Sequence, residues 1–291
     1  MNQLFDFALC SDPARVFDEA LRRGELDERL PALRALVGVT QSAPHVFDVW
    51  EHTLAVIDGV REMRAVSMGR PCSEATTVVA RGLGSAFDVV REACSSEERY
   101  GRLIVAALLH DIAKPDTRSV GEDGRIHFYR HEERGAEVAR ARLAADPTLR
   151  PSDVDAVEHL VLEHLRPAGF DRTAKLTRRL IGKFRRDLGE LAPDVCVLAI
   201  ADRMGKGGRA DEAAWVRYTS RLDEALTMKL EDAPPPRGLI TGDDLLERGV
   251  SPGRRMGAAL RAVAEAEARG ELTDSTAALA YALAFLERNP G

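Results

Sequence analysis

The stretch LIVAALLHDIAKP sets the strongest constraint on how this chain folds. Seven apolar residues, 103–109, run straight into His110 and Asp111, with Lys114 three residues further on. A segment apolar on every side belongs inside a core, and a carboxylate at its end is costly to bury unless a cation or hydrogen-bond donors meet it. The fold must therefore bring partners to Asp111 from elsewhere. Most of the remaining sequence repeats apolar residues at intervals of three and four, is rich in Ala, Leu, Glu and Arg, and offers almost no alternating β-branched runs. An all-α fold is expected, a helical bundle. One exception is SVGEDGRIHFYRHEE, where Asp123-Gly124 is a good hairpin turn and Ile126 and Phe128 alternate with His127 and Tyr129. It predicts a short two-stranded hairpin with His127 facing solvent.

Three prolines, Pro234 to Pro236, cannot continue a helix and mark the best boundary in the chain. The expected organisation is an N-terminal helical segment (1–43), a main domain (44–233) and a helical C-terminal appendage (234–291). A net charge of −6 argues against wholesale electrostatic binding of nucleic acid and leaves only local basic faces. The four cysteines, Cys10, Cys72, Cys94 and Cys196, form no C-x-x-C pair, which fits packing thiols in a reducing compartment. No apolar run approaches the roughly 20 residues of a membrane helix. A cytoplasmic protein without membrane contact is expected.

The histidines sort by helical face. In PHVFDVWEHTLAVIDGV, Val49, His52, Val56 and Val60 share one stripe, so His52 points inward. In DVDAVEHLVLEHLRP the apolar stripe ends on His164, whereas His159 projects toward water. In PDVCVLAIADRMGKG, Val195, Leu198, Ala199 and Asp202 share a face of a helix apolar nearly all round, which repeats the puzzle of Asp111. Capping, or a pair with Arg203, accounts for one such acid but not readily for both. His131 joins the set from a helix start. His52, His110, Asp111, His131, His164 and Asp202 thus offer four imidazoles and two carboxylates, a donor set for Fe, Mn, Co, Ni or Zn. Six ligands suit two divalent ions with Asp111 between them.

The order H…HD…H…H…D over these six residues resembles the HD-domain metal-dependent phosphohydrolase superfamily. HVFDVWEHTL, LLHDIAKPDTR, IHFYRHEERGAEVARARL, LVLEHLRP, RRLIGKFRRDLGE, LAIADR and LITGDDLLERGVSPGRRMGAAL resemble more narrowly the HD and tail regions of bacterial tRNA nucleotidyltransferases, the CCA-adding enzymes and their poly(A) polymerase-like relatives. The resemblance runs from about residue 30 to the end of the chain. Those enzymes carry an N-terminal head with strand-borne G-S and D-x-D motifs, and neither precedes the HD part here. Nucleotide addition is not expected of this chain alone, which is either free-standing or part of a longer enzyme.

The resemblance implies a phosphohydrolase acting on a nucleotide or an RNA-end phosphoester such as a 2′,3′-cyclic phosphate. Asp111 would bridge two ions, His52, His110 and Asp202 would hold the first, and His131 and His164 would complete the second. Lys114 would neutralise phosphate charge, assisted by Arg118 or Arg166. His45, seven residues before His52, would touch substrate or simply begin the helix. Lys175, Arg178, Arg179 and Arg186 form a basic face for an RNA backbone, or a solvated one. Two other readings stand beside this one: a di-iron oxygenase, and a non-catalytic tRNA-binding body working with a separate head.

Overall fold

A computed structural model describes residues 3–173, 176–207, 211–229, 238–269 and 271–289. Pro234 to Pro236 and Lys175 lie outside them. Among the described residues the chain is helical, with one small sheet. The helices in order are α1 (Gln3–Leu9), α2 (Pro13–Arg22), α3 (Val49–Ser67), α4 (Glu74–Gly82), α5 (Ala86–Ser95), α6 (Glu97–Leu109) and α7 (Lys114–Thr117). Strands β1 (Arg118–Val120) and β2 (Ile126–Phe128) follow, then α8 (His131–Ala144), α9 (Pro151–Glu163), α10 (Arg178–Leu188), α11 (Ala192–Gly205) and α12 (Glu212–Thr227). Last come α13 (Gly242–Leu246), α14 (Arg254–Ala268) and α15 (Ser275–Arg288).

Local chemistry sets the starts of the helices that matter for the site. Asp48 and Glu51 form a capping box at α3, the Ser96 hydroxyl accepts from Arg99 N at α6, and Pro151 and Pro193 occupy the first turns of α9 and α11. The core is an arrangement of α3, α5, α6, α9 and α11 in which α11 is buried along nearly its whole length. α3 and α11 pack so closely that a Cβ on Gly59 would lie 3.0 Å from Ala201 Cα. That approach is what lets α3 and α11 present side chains to a common point. The predicted stripe of α3 is fully buried, as Val49, His52, Val56 and Val60 show.

Chain contacts divide the molecule into two compact units. The first comprises Met1–Leu176 with Lys183–Met228, and in it α1 packs on α6 and α2 on α3. The second comprises Thr177–Gly182 with Lys229–Gly291. Its core is Leu245, Met256, Ala259, Val263, Ala278, Ala282 and Leu286, and a Thr241–Asp244 capping box starts α13. The hairpin pairs antiparallel with Ser119 opposite His127, and Gly124 turns the chain at φ 74°. Among the described residues no helix is long and apolar enough to cross a membrane.

Candidate metal centre

Six elements of the first unit end or begin at one point. His52 lies in the first turn of α3, His110 caps the C-terminus of α6 with Asp111 directly after it, and Lys114 opens α7. His131 opens α8, His164 caps α9, and Asp202 lies in the last turn of α11. All seven side chains are buried. The rings form a row in edge-to-face contact, with centroids 5.1 Å apart for His45–His52, 5.3 Å for His52–His110, 5.2 Å for His110–His164 and 5.4 Å for His164–His131.

What each ring does with its Nδ1 decides what the row can bind. His110 Nδ1 donates to Ala107 O (2.8 Å), His131 Nδ1 to Phe128 O (2.7 Å), His164 Nδ1 to Val161 O (2.7 Å) and His45 Nδ1 to Ser42 O (3.2 Å). His52 Nδ1 reaches across to Gly205 O at 3.0 Å. A carbonyl only accepts, so each of these nitrogens carries the proton and each neutral ring keeps its lone pair on Nε2. His52 Nε2 and His110 Nε2 then face each other at 3.3 Å, two acceptors with nothing to share. Asp111 Oδ2 stands 3.1 Å from His110 Nε2 and 3.4 Å from His52 Nε2, Asp111 Oδ1 3.3 Å from His131 Nε2, and Asp202 Oδ1 3.1 Å from His52 Nε2. Asp111 Oδ2 and His131 Nε2 are buried and make no hydrogen bond of sound geometry, although Lys114 Nζ lies 2.7 Å from that oxygen.

Converging lone pairs without donors are what a cation satisfies, and a second-atom bond to a backbone carbonyl is how ligating imidazoles are oriented. The residues therefore fit divalent metal. Three ligand groups are close enough: His52, His110 and Asp111; Asp111, His131 and His164; His45, His52 and Asp202. Asp111 belongs to two of them and turns one oxygen toward each.

Burial acts against both carboxylates, yet His110 and Lys114 hold Asp111 well below the usual range, and Lys206 and His52 do the same for Asp202. Burial opposes a charge on His131, but the Asp111 carboxylate outweighs it and raises that ring. Burial pulls His164 down to about 3, and burial with the charge of Lys114 pulls His45 down to about 4. His164 yields a pH test. Below pH 6.5 the unfolded chain protonates this ring while the folded chain keeps it neutral, so its contribution lowers stability as pH falls toward about 3. In chelator, wild-type protein should lose roughly 1.4 kcal/mol per pH unit relative to His164→Asn over pH 6 to 4.5. Urea titrations at each pH measure this, and parallel curves for the two proteins would refute it.

A cavity of about 310 Å³ opens onto the cluster, lined by Asp111, His131, His164 and Asp202 beneath and by Gln41, His45, Lys114 and Lys206 at its sides. Lys114 is held by Gln41 Oε1 (2.6 Å), and Lys206 Nζ stands 3.0 Å from Asp202 Oδ2. His45 is at the site, though not by opening a helix: α3 begins at Val49, and a loop delivers the ring. Arg118 and Arg166 are not among the lining residues. Arg118 is exposed on β1 opposite Phe128. Arg166 is spent on Glu163 (3.1 Å) and Asp187 (2.7 Å), with its guanidinium over the Phe184 ring. Arg203 pairs with Asp171 and stacks on Tyr218 rather than meeting Asp202. His127, expected in solvent, lines the cavity instead. Of the basic face, Arg179 pairs with Glu267, and Arg178 and Arg186 are exposed on α10.

The family model of the HD domain matches residues 49–205. The chain is 30% identical over 271 residues to the A-adding tRNA nucleotidyltransferase of Deinococcus radiodurans, covering 92% of this chain and 54% of the relative. It is 32% identical over 266 residues to the CC-adding tRNA nucleotidyltransferase of Thermus thermophilus, covering 90% and 50%. It is also 36% identical over 205 residues to the bifunctional uridylyltransferase/uridylyl-removing enzyme of Bordetella avium, covering 69% and 20%. The chain thus spans about half the length of the two tRNA-directed relatives.

Proposed function

This chain belongs to the HD domain family, and from that premise we propose that it is a metal-dependent phosphohydrolase acting on a nucleotide or RNA-end phosphoester. One observation carries the reading. Five imidazoles commit Nδ1 to backbone carbonyls and leave Nε2 lone pairs converging with two carboxylates, and His45, His131, His164 and both carboxylates line a cavity. In this reading His52, His110 and Asp202 would hold one divalent cation and His131 and His164 a second, with Asp111 available to both, since it belongs to two of the three ligand groups. Divalent metal held there would supply Lewis acidity, lowering the pKa of water toward neutrality and withdrawing charge from phosphoryl oxygens.

The protein's own groups do the rest. Lys114, fixed between Asp111 Oδ2 and Gln41 Oε1, places a buried ammonium against the charge that grows on phosphorus. Lys206 and Arg125 line the same cavity and draw a polyanion into it. His45, kept neutral by burial, completes the wall beside His52 without adding a charge. Support for an RNA end comes from the tRNA-directed relatives and from Arg186, exposed on α10.

The test is metal analysis of protein purified without chelator, with assays on bis-p-nitrophenyl phosphate and 2′,3′-cyclic nucleotides. Two metals per chain with hydrolysis is the expected result. Two irons with oxygen consumption and no hydrolysis would replace it with oxygenation. A metal-free, inactive protein that binds tRNA in a salt-dependent way would make it an RNA-binding body.

A further inference from the structure

One wall of the cavity is not helical. Arg125, Ile126, His127 and Phe128 come from the hairpin, which is pinned in place where Ile126 N donates to Ser42 Oγ at 2.7 Å. The His127 ring stacks in parallel on Tyr129, centroids 5.2 Å apart and planes at 8°. Tyr129 is 68% exposed, the highest value for a large apolar side chain among the described residues. The inner ring of the pair lines the cavity, and the outer ring presents its face to water. Arg130 follows with φ 60°, an uncommon left-handed conformation for a side-chain-bearing residue, and turns the chain so that His131 opens α8. Only that one residue separates Tyr129 from a ligand of the metal centre, so their Cα atoms lie within about 7 Å of each other.

We propose that the His127–Tyr129 pair is a nucleobase platform, which makes the substrate a nucleoside phosphoester rather than the phosphoester of a simple sugar or alcohol. The proposal rests on the phosphohydrolase reading and deepens it. Three features support it. An open, pre-stacked aromatic face accepts any base, because every base has a π-face. The cations that would take the phosphate, Lys114, Arg125 and Lys206, line the cavity that His127, the inner ring of the pair, also lines, with Tyr129 at its outer side. Hairpin and metal centre share the Tyr129–Arg130–His131 turn, which fixes base and phosphate sites at one spacing.

Calorimetric titration of the protein as purified, with its metal content known, tests this with three probes: inorganic phosphate, ribose 5-phosphate and adenosine 5′-monophosphate. The nucleotide should bind roughly tenfold more tightly than ribose 5-phosphate, the size expected of one base stacked on an aromatic ring. Tyr129→Ala should erase that preference while shifting ribose 5-phosphate affinity less than twofold, and Tyr129→Phe should keep it. Tyr129 is exposed, so an unchanged melting temperature verifies that Tyr129→Ala is folded. Equal affinities for the two probes in wild-type protein, or a preference that survives Tyr129→Ala, would overturn the platform alone. Failure of all three probes to bind would overturn both the platform and the phosphohydrolase reading beneath it.

Discussion

Replacing Asp111 with Ala is expected to cost about 10³-fold or more in phosphodiester hydrolysis and to empty the protein of metal. Its Oδ1 faces His131 and its Oδ2 faces His52, His110 and Lys114, so one truncation removes the group shared by two of the three ligand clusters. It also leaves the Lys114 ammonium buried against Gln41 alone, and a buried charge stripped of its partner costs roughly 3–5 kcal/mol. Asp111→Asn separates the two effects. Its amide keeps the volume and an oxygen for Lys114 but supplies no anion for two cations. Both variants should lose metal and activity, with Asn the more stable. Full hydrolysis by either variant would remove the two-ion scheme.

Chelation should lower the melting temperature by about 10 °C, and manganese should restore it. A ligand present at 1,000 times its Kd stabilises by ~4 kcal/mol, and each kcal/mol moves the midpoint of a domain this size by about 2–4 °C. The face-to-face Nε2 atoms of His52 and His110 at 3.3 Å are the reason to expect so large an effect, since nothing else in the cluster answers them. Calorimetry in chelator, then with added manganese, measures it. Identical melting curves would mean that the five imidazoles are a hydrogen-bonded core.

The candidate ligands on helices were legible in the sequence because a helix repeats every 3.6 residues and its buried stripe predicts where a side chain points. His52, His164 and Asp202 each ended or interrupted such a stripe, and the structure brings all three to the same cluster. Lys206 carried a readable signal, standing four residues after Asp202 as the C-cap of α11, where i,i+4 pairs meet. Gln41 and the route of His45 carried none, since no period governs an irregular loop. Arg118 and Arg166 show the opposite failure: proximity in sequence to Asp111 and His164 says nothing of direction, and strand geometry and local acids took them elsewhere. His127 was misplaced because alternation predicts a solvent side only for a hairpin with one covered face, and here the cavity meets the other.

Four of the five imidazoles donate Nδ1–H to the carbonyl three residues earlier in the chain, and two of those carbonyls belong to the final turns of α6 and α9, which no further helical turn would have satisfied. Each such ring is aimed by its own backbone, so the socket is shaped by the chain itself rather than by a plug. Only His52 depends on a distant strut, the Gly205 carbonyl, where an added Cβ would sit 2.6 Å from Val56 Cγ2. Ions should therefore exchange without refolding, with occupancy following whichever divalent metal is in supply, and the spacing between α3 and α11 is the one dimension that tunes the grip.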